Sequence, residues 1–147
     1  MATRKNPQHN HLLITARTDD PPKNKRRMKK WLKFLVECIG MYRIKGPFVK
    51  YVKAPGNRGL TAVVMIETSH IALHIWDEPK PAHIQFDIYT CSSLNVGETL
   101  DRLIRDLKLT QISWAYFDRS VGFNQISGGD SIDEIKLLNR DAKWSMH

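Results

Sequence analysis

The sequence lacks the features that mark several large classes of protein. It has two cysteines among 147 residues, too few for the disulfide framework of a small secreted domain, which predicts free thiols in a reducing, cytoplasmic compartment. No stretch approaches the run of about 18 apolar residues that a membrane-spanning helix needs, and the first ten residues lack the apolar centre of a signal peptide. The patterns CxxC, HExxH, GxGxxG and the P-loop are also missing, which excludes the commonest zinc and nucleotide motifs.

Acidic residues are scarce in the first part of the chain. Residues 1–58 contain 15 Lys and Arg against 3 Asp and Glu, whereas residues 59–147 contain 8 against 12. In and after the densest basic run, residues 23–33, the apolar residues at helical spacing are Met28, Trp31, Leu32, Leu35 and Ile39. The charges are therefore predicted to lie on the solvated face of an amphipathic helix, with contact to nucleic acid or a membrane surface as the alternative. Cys38 lies on the apolar side and is predicted to be in the core.

Composition and periodicity indicate one α+β domain over residues 1–147. Its 41% hydrophobic and 26% charged residues are ordinary for a globular domain. A first helix is predicted between a start at Asp20 and Pro21 and an end at Gly40. Strands are predicted in residues 11–16, 42–53, 63–66, 71–76, 82–90 and 111–117, and a second helix in residues 96–107. Helices would then cover one face of a mostly antiparallel sheet.

The tail of the chain, residues 119–147, has a weaker pattern. It includes Gly128 and Gly129 and a short helical piece near residues 132–138. The sequence assigns it no single role, and a lid, a dimer contact and a frayed end are the alternatives.

Most candidate functional residues lie in residues 59–91, which read GLTAVVMIETSHIALHIWDEPKPAHIQFDIYTC. Ser69 falls between two predicted strands. Because side chains alternate along a strand, His70 and His74 should share one face, with Ser69 on the other. The hydroxyl of Ser69, the imidazole of His74 and the thiol of Cys91 offer a nucleophile, a base and an acid.

The order Ser-His-hydrophobic-Ala-hydrophobic-His-x-Trp-x-Glu, followed by Phe-Asp-Ile-Tyr-Thr-Cys, resembles the bacterial and archaeal class of S-adenosylmethionine decarboxylases. The resemblance is dense over residues 59–91 and looser over residues 10–118. These enzymes carry a covalently bound pyruvoyl group made from their own serine. The resemblance implies a two-layer α/β sandwich, a homodimer or higher oligomer with a shared active site, and a role in spermidine synthesis.

The resemblance also implies self-cleavage. Ser69 matches the serine that attacks the carbonyl of the preceding residue, here Thr68, in an N-to-O acyl shift. The ester then eliminates. The expected products are a β chain of residues 1–68 and an α chain of residues 69–147 that begins with the pyruvoyl group.

Other matching residues take roles from the same resemblance. His74 matches the family histidine that assists processing, and Thr61 stands where the family usually has a serine with that task. Cys91 matches the cysteine that returns a proton to the substrate carbon after carbon dioxide leaves. Glu78 matches a carboxylate that binds the ribose hydroxyls of the substrate. Trp76 is expected in the core or in the wall of the substrate pocket.

The implied chemistry needs no metal and no dissociable cofactor. The pyruvoyl ketone condenses with the α-amine of the substrate to a Schiff base that serves as electron sink. A thiol with a pKa of about 8.5 stays largely protonated at neutral pH, so Cys91 can donate a proton. His70 and His83 lie near His74 in the sequence, but no carboxylate or cysteine spacing supports a metal site. Processing requires a strained junction, at a cost of about 1–3 kcal/mol.

The chain departs from the family pattern at several positions. Thr68 stands where a glutamate is usual, and Asp77 replaces the usual proline between the tryptophan and the glutamate. Pro55 occupies the position of an aromatic residue that stacks on adenine in the family. Phe48 and Tyr51 are the alternatives for that role.

Three functions follow from these observations. The first is a self-processing decarboxylase of S-adenosylmethionine. The second is a related pyruvoyl-dependent decarboxylase of ornithine or arginine, which the missing adenine-stacking residue permits. The third is an unprocessed, non-catalytic homologue that binds nucleic acid through its basic half, and the sequence favours it least. The first two require cleavage at Thr68–Ser69 and are lost on Ser69→Ala, whereas nucleic-acid binding would survive that change and weaken with salt.

Overall fold

The computed structural model of the chain describes residues 8–144. Their elements are β1 (Asn10–Thr18), α1 (Lys25–Cys38), β2 (Arg43–Val52), β3 (Gly59–Ile66), β4 (Ser69–Trp76), β5 (Ala82–Thr90), α2 (Val96–Asp106), β6 (Leu109–Asp118), β7 (Asn124–Gly129) and α3 (Ile132–Trp144). The strands form one sheet in the order β2-β3-β4-β5-β1-β6-β7, and each neighbouring pair is antiparallel. No helix within residues 8–144 has the length and apolarity to cross a membrane.

The hydrophobic core lies between one face of the sheet and the helices. Its strand residues alternate along the central strands and include Leu12, Ile14, Val64, Ile71, Leu73, Ile84, Phe86 and Ile88. Its helix residues include Leu32, Leu35, Leu100, Leu103, Ile104 and Ile135. Every second residue of the central strands is buried, and these residues pack against the apolar face of the helices, where buried residues recur about every 3.6 positions. This is the arrangement of an α+β sandwich. The predicted fold class is confirmed.

The opposite face of the sheet, here called the open face, is more exposed. On β4 the apolar Ile71, Leu73 and Ile75 are buried, while His70 and His74 alternate with them and point to the open face. Large apolar side chains on the open face are Leu13, Phe48, Val63 and Met65, each 41–52% exposed. The parity predicted for the β4 residues is therefore confirmed.

The predicted start of the first helix is wrong by several residues. The cap is Asn24, whose side-chain oxygen accepts the N–H of Arg27 at 3.0 Å, and not Asp20. Asp20 instead accepts a hydrogen bond from Lys108 at 2.9 Å. The residue before a proline is disfavoured in helical conformation, so the consecutive prolines after Asp20 delay the helix to the next good cap.

Two further differences concern the edges of the fold. Cys38, predicted in the core, is exposed because Leu35 and Val36 fill the buried side of the last turn of α1. Strand β7 was not predicted. Its residues, NQISGG, are exposed or half-buried along their whole length, so this edge strand has no alternating apolar pattern. The helical piece near residues 132–138 is part of the longer α3.

Candidate active site

The turn between β3 and β4 contains a strained residue. Thr68 has a φ of 59°, in the left-handed region that glycine and asparagine normally occupy. For a β-branched residue this conformation brings Cβ close to a carbonyl oxygen and costs about 1–2 kcal/mol. Ile66 and Ser69 are paired on either side of the turn. Backbone strain therefore lies at the residue before Ser69, at the peptide bond that the resemblance marks for cleavage.

The hydroxyl of Ser69 is buried and has no hydrogen-bond partner among the residues that the structure describes. A buried polar group without a partner costs about 1–3 kcal/mol, which makes such groups uncommon outside functional sites. Within the described residues no hydrogen bond therefore restrains this hydroxyl, which belongs to the residue directly after Thr68.

Cys91 lies against the same turn. Its thiol donates to the carbonyl oxygen of Glu67 at 3.2 Å, just after the end of β5. The N–H of Glu67 donates to the carbonyl of Tyr42 at 2.9 Å, so Glu67 is held from two sides. The structure thus brings Cys91 to the Thr68–Ser69 junction across more than 20 positions of sequence.

His74 and Thr61 form a pair on the open face, farther along the sheet. The two residues are register partners on β3 and β4, and Thr61 Oγ1 is 2.5 Å from His74 Nδ1. His74 lies five positions after Ser69, which corresponds to about 16 Å along a strand at 3.3 Å per residue. Their side chains also point to opposite faces. Within one chain, the structure does not bring His74 to Ser69.

Trp76 and Glu78 share a cavity at the far end of β4. The cavity has a volume of about 480 Å³, and its lining residues are Gly56, Arg58, Trp76, Glu78, Pro79 and His83. The carboxylate of Glu78 accepts the N–H of Gly56, with oxygens at 3.0 and 3.2 Å. The ring of Trp76 lies 5.4 Å from the ring of His83. Two residues predicted to bind substrate therefore line one cavity, here called the Trp76 pocket.

Asp77 connects this pocket, through hydrogen bonds, to strand β2 and to the loop before β3. Its side chain is fully buried and accepts hydrogen bonds from Arg58 Nε at 2.8 Å and from the hydroxyl of Tyr51 at 2.5 Å. Burial opposes ionisation of Asp77, but these two donors and the charge of Arg58 outweigh it, and its pKa lies below the usual 3.8. Asp77 is therefore charged at neutral pH. The sequence marked it only as a departure from the family pattern.

Neither alternative for the adenine-stacking residue lines the Trp76 pocket. The hydroxyl of Tyr51 is bound to Asp77. Phe48 lies on the open face, paired with Val63 and 52% exposed. The pocket's aromatic surface therefore comes from Trp76 and the ring of His83.

Sequence reasoning missed a charged cluster on the open face. Asp87 accepts a hydrogen bond from His11 Nε2, and His70 Nε2 lies 3.4 Å from the same oxygen. Burial raises the pKa of Asp87, but the hydrogen bond from His11 and the electrostatic attraction of the His11 and His70 rings outweigh this, so the pKa lies below 3.8. The partners come from β1, β4 and β5, and their proximity depends on strand pairing that local patterns do not reveal.

The spacing of His11, His70 and Asp87 could hold a metal ion, since their ligand atoms lie within 4.8 Å of one another. Arg119 Nη1, however, is 3.0 Å from His11 Nδ1. An arginine N–H can only donate, so Nδ1 accepts and the ring proton is on Nε2, facing Asp87. In this arrangement Nε2 has no lone pair for a metal, and the three residues form a hydrogen-bonded cluster around the Asp87 carboxylate.

Comparison with known proteins supplies a family. The model of the family described as S-adenosylmethionine decarboxylase matches residues 11–120. Among curated proteins, the chain is 35% identical over 68 residues to an arginine decarboxylase proenzyme of Aeropyrum pernix, covering 45% of this chain and 50% of the relative. It is 33% identical over 64 residues to an S-adenosylmethionine decarboxylase proenzyme of a Hydrogenobaculum species, covering 43% and 46%.

A third relative is the S-adenosylmethionine decarboxylase proenzyme of a Sulfurihydrogenibium species, with 31% identity over 64 residues, 43% of this chain and 47% of the relative. The chain therefore spans about half the length of the curated relatives it matches.

Proposed function

Because the chain belongs to the S-adenosylmethionine decarboxylase family, we propose that it is a self-processing, pyruvoyl-dependent decarboxylase that acts on S-adenosylmethionine. One observation carries the proposal. The left-handed Thr68 stands directly before Ser69, whose buried hydroxyl has no hydrogen-bond partner within residues 8–144. Cys91 is hydrogen-bonded to the same turn.

In the proposed cleavage, Ser69 Oγ attacks the carbonyl carbon of Thr68, and the peptide nitrogen leaves that carbon. The resulting ester joins the Thr68 carboxyl to Ser69 Oγ, and relief of the left-handed Thr68 favours its formation. Loss of the Ser69 α-proton expels the Thr68 carboxylate. The dehydroalanine that remains tautomerises to an imine. Water adds to the imine carbon, ammonia leaves, and the ketone of the pyruvoyl group remains. Among residues 8–144 the Ser69 hydroxyl has no hydrogen bond that would have to break before this attack.

A pyruvoyl group formed at residue 69 would supply the electron sink for decarboxylation. The chain's own contribution is then orientation and proton transfer. The thiol of Cys91, positioned by the Glu67 carbonyl at 3.2 Å, is the proposed proton donor to the substrate carbon. The product would serve as an aminopropyl donor in spermidine synthesis.

We infer that two copies of the chain form the complete site. From Ser69, His74 lies about 16 Å and Trp76 about 23 Å along β4 at 3.3 Å per residue, farther than one site extends. Two sheets packed through their open faces with opposed β4 strands would bring His74 and Trp76 of one copy to the β3–β4 turn of the other, which holds the Thr68–Ser69 peptide bond. The exposed apolar residues Leu13, Val63 and Met65 support this face as the contact.

An arginine or ornithine decarboxylase is the second candidate. The observation in its favour is the relative from Aeropyrum pernix, which is named as an arginine decarboxylase proenzyme. It would share the cleavage and the shared site described above. Only the distal part of the substrate would differ.

Release of labelled carbon dioxide tests the proposal. Purified protein is given S-adenosylmethionine, arginine or ornithine, each labelled in the carboxyl group, with Ser69→Ala protein as the control. The proposal expects release from S-adenosylmethionine by the wild-type protein and none from the control. Release from arginine or ornithine instead would support the second candidate, and release by the Ser69→Ala protein would contradict both.

A further inference from the structure

The Trp76 pocket contains a cation that no motif accounts for. Arg58 lines the cavity and its side chain is 46% exposed. Its Nε–H donates to Asp77 at 2.8 Å. Arginine has five N–H donors in a rigid fork. Because only Nε donates to Asp77, the N–H groups of Nη1 and Nη2 can donate to a ligand in the cavity.

Arg58 is held in place by its partner. The Asp77 side chain is completely buried and is also bound by the Tyr51 hydroxyl. The backbone contributes a further hydrogen bond, from the N–H of Asp77 to the carbonyl of Arg58 at 3.0 Å. Because side chain and backbone of the two residues are both paired, the guanidinium is a fixed part of the pocket wall.

The remaining charges of the pocket are few. Glu78 is the carboxylate of the lining, and it lies close enough to Arg58 for the two charges to interact. Burial, with the nearby charge of Arg17, lowers the pKa of His83 below 6.5, so His83 is neutral at pH 7. The pocket therefore presents a cation, an anion and the flat rings of Trp76 and His83.

These groups discriminate between the candidate substrates. A guanidinium or ammonium side chain carries only donors, so Glu78 could pair with it, but it would also lie beside Arg58, where donors face donors and like charges repel. A nucleoside is neutral, has ring nitrogens that accept from Arg58, hydroxyls that donate to Glu78 and a flat base that stacks on Trp76.

We propose that Arg58, fixed by Asp77, is a specificity-determining residue that makes the Trp76 pocket take the neutral nucleoside part of a substrate and reject cationic amino-acid side chains. The inference rests on the proposed function in one respect, that this pocket holds the distal part of the substrate. It also gives a role to two features of the sequence. Asp77 stands where the family usually has a proline, and it fixes Arg58. Pro55 stands where the family has an aromatic residue that stacks on adenine, and Arg58 would contribute to nucleoside recognition in its place.

Equilibrium binding to the full chain tests this inference without turnover. The Ser69→Ala protein is titrated by calorimetry with 5′-deoxy-5′-methylthioadenosine, a neutral nucleoside, and with agmatine, a cation. We expect the nucleoside to bind at least about tenfold more tightly than agmatine. Adding Arg58→Leu should weaken nucleoside binding about tenfold and strengthen agmatine binding. The matched control is Lys53→Leu, which removes an exposed cation that does not line the cavity and should leave both affinities unchanged.

A second variant covers the case in which Arg58→Leu does not fold. Arg58→Lys keeps the charge but loses the planar fork, so it should still reject agmatine while binding the nucleoside more weakly. Tighter binding of agmatine than of the nucleoside to the parent protein would overturn the inference. An unchanged preference in the folded Arg58 variants, or no binding of either probe to the parent protein, would do the same.

Failure of this inference differs from failure of the proposed function. A wild-type protein that cleaves itself but prefers agmatine would refute the role of Arg58 and leave a pyruvoyl-dependent decarboxylase. A wild-type protein that never cleaves but binds the nucleoside through Arg58 would refute the decarboxylase and support the specificity inference.

Discussion

The thiol of Cys91 lies 3.2 Å from the carbonyl oxygen of Glu67. Glu67 is followed by the left-handed Thr68 and then by Ser69, whose buried hydroxyl has no hydrogen-bond partner in the described part of the chain. One short turn therefore combines a residue in left-handed conformation, a buried hydroxyl and a thiol.

Strain at Thr68 should accelerate self-cleavage. Thr68→Gly removes the clash of Cβ in the left-handed conformation, so it should stabilise the uncleaved fold by about 1 kcal/mol and slow cleavage. Urea denaturation in the Ser69→Ala background measures the first effect, and the time course of chain cleavage measures the second. The matched control is Lys108→Gly. Lys108 has a similar φ of 51° but lies away from the junction, so this change should not alter the cleavage rate. Cleavage of Thr68→Gly at the wild-type rate would contradict a role for strain.

Cys91 should be needed for decarboxylation and not for chain cleavage. Cys91→Ala is expected to yield cleaved protein in which turnover falls by about 10²–10⁴-fold, the usual contribution of a positioned proton donor. The control is Cys38→Ala, which removes the other, exposed thiol and should leave turnover unchanged. Full activity of Cys91→Ala would assign the proton transfer to another group.

Two inactive variants should restore cleavage to each other if the site is shared. His74→Ala and Ser69→Ala chains carrying different tags are each expected to stay uncleaved when expressed alone. When they are expressed together, the His74→Ala chain retains Ser69 and receives His74 from its partner copy. We therefore expect cleavage of the His74→Ala chain, seen by mass spectrometry of the doubly tagged complex. If that chain stays intact in the mixed complex, His74 does not act across the interface.

The alternation of residues on β4 could be predicted because it depends only on local geometry. Ile71 and Leu73 are buried and His70 and His74 point to the open face, as the period-two pattern required. The edge strand β7 could not be predicted, since a strand that buries none of its apolar residues leaves no pattern.

The site was accessible from the sequence only in part. The motif identified Ser69 and Cys91, and the structure brings Cys91 to the turn before Ser69. Asp77 and Arg58 stand 19 positions apart and meet through the pairing of strands and loops. Local sequence patterns carry no information on such a contact. The Arg58–Asp77 ion pair could therefore be identified only from the structure.

Asp77 should stabilise the protein at neutral pH and lose that effect in acid. Its folded pKa lies below the unfolded value of about 3.9, so its contribution is present above that value and disappears as the pH falls through the folded pKa. Asp77→Asn should therefore lower the melting temperature most at pH 7, with a difference that shrinks below about pH 4.

Thermal denaturation between pH 3 and pH 7 measures this effect. Glu37→Gln is the control, because Glu37 is exposed on α1 and its replacement should change the melting temperature little. The same Asp77→Asn protein should bind the nucleoside more weakly, since Arg58 is no longer fixed. An equal loss of stability at every pH would show that the charge of Asp77 is not what stabilises the fold.

Cleavage at Thr68–Ser69 is the central claim, and the intact mass of the purified protein under denaturing conditions tests it most directly. We expect two chains of about 8 and 9 kDa, scaled from 17.0 kDa by residue count. The mass of the larger chain should be lower than that of the product of simple hydrolysis, because the nitrogen of Ser69 departs as ammonia. A single chain of 17.0 kDa that persists through prolonged incubation would contradict the account.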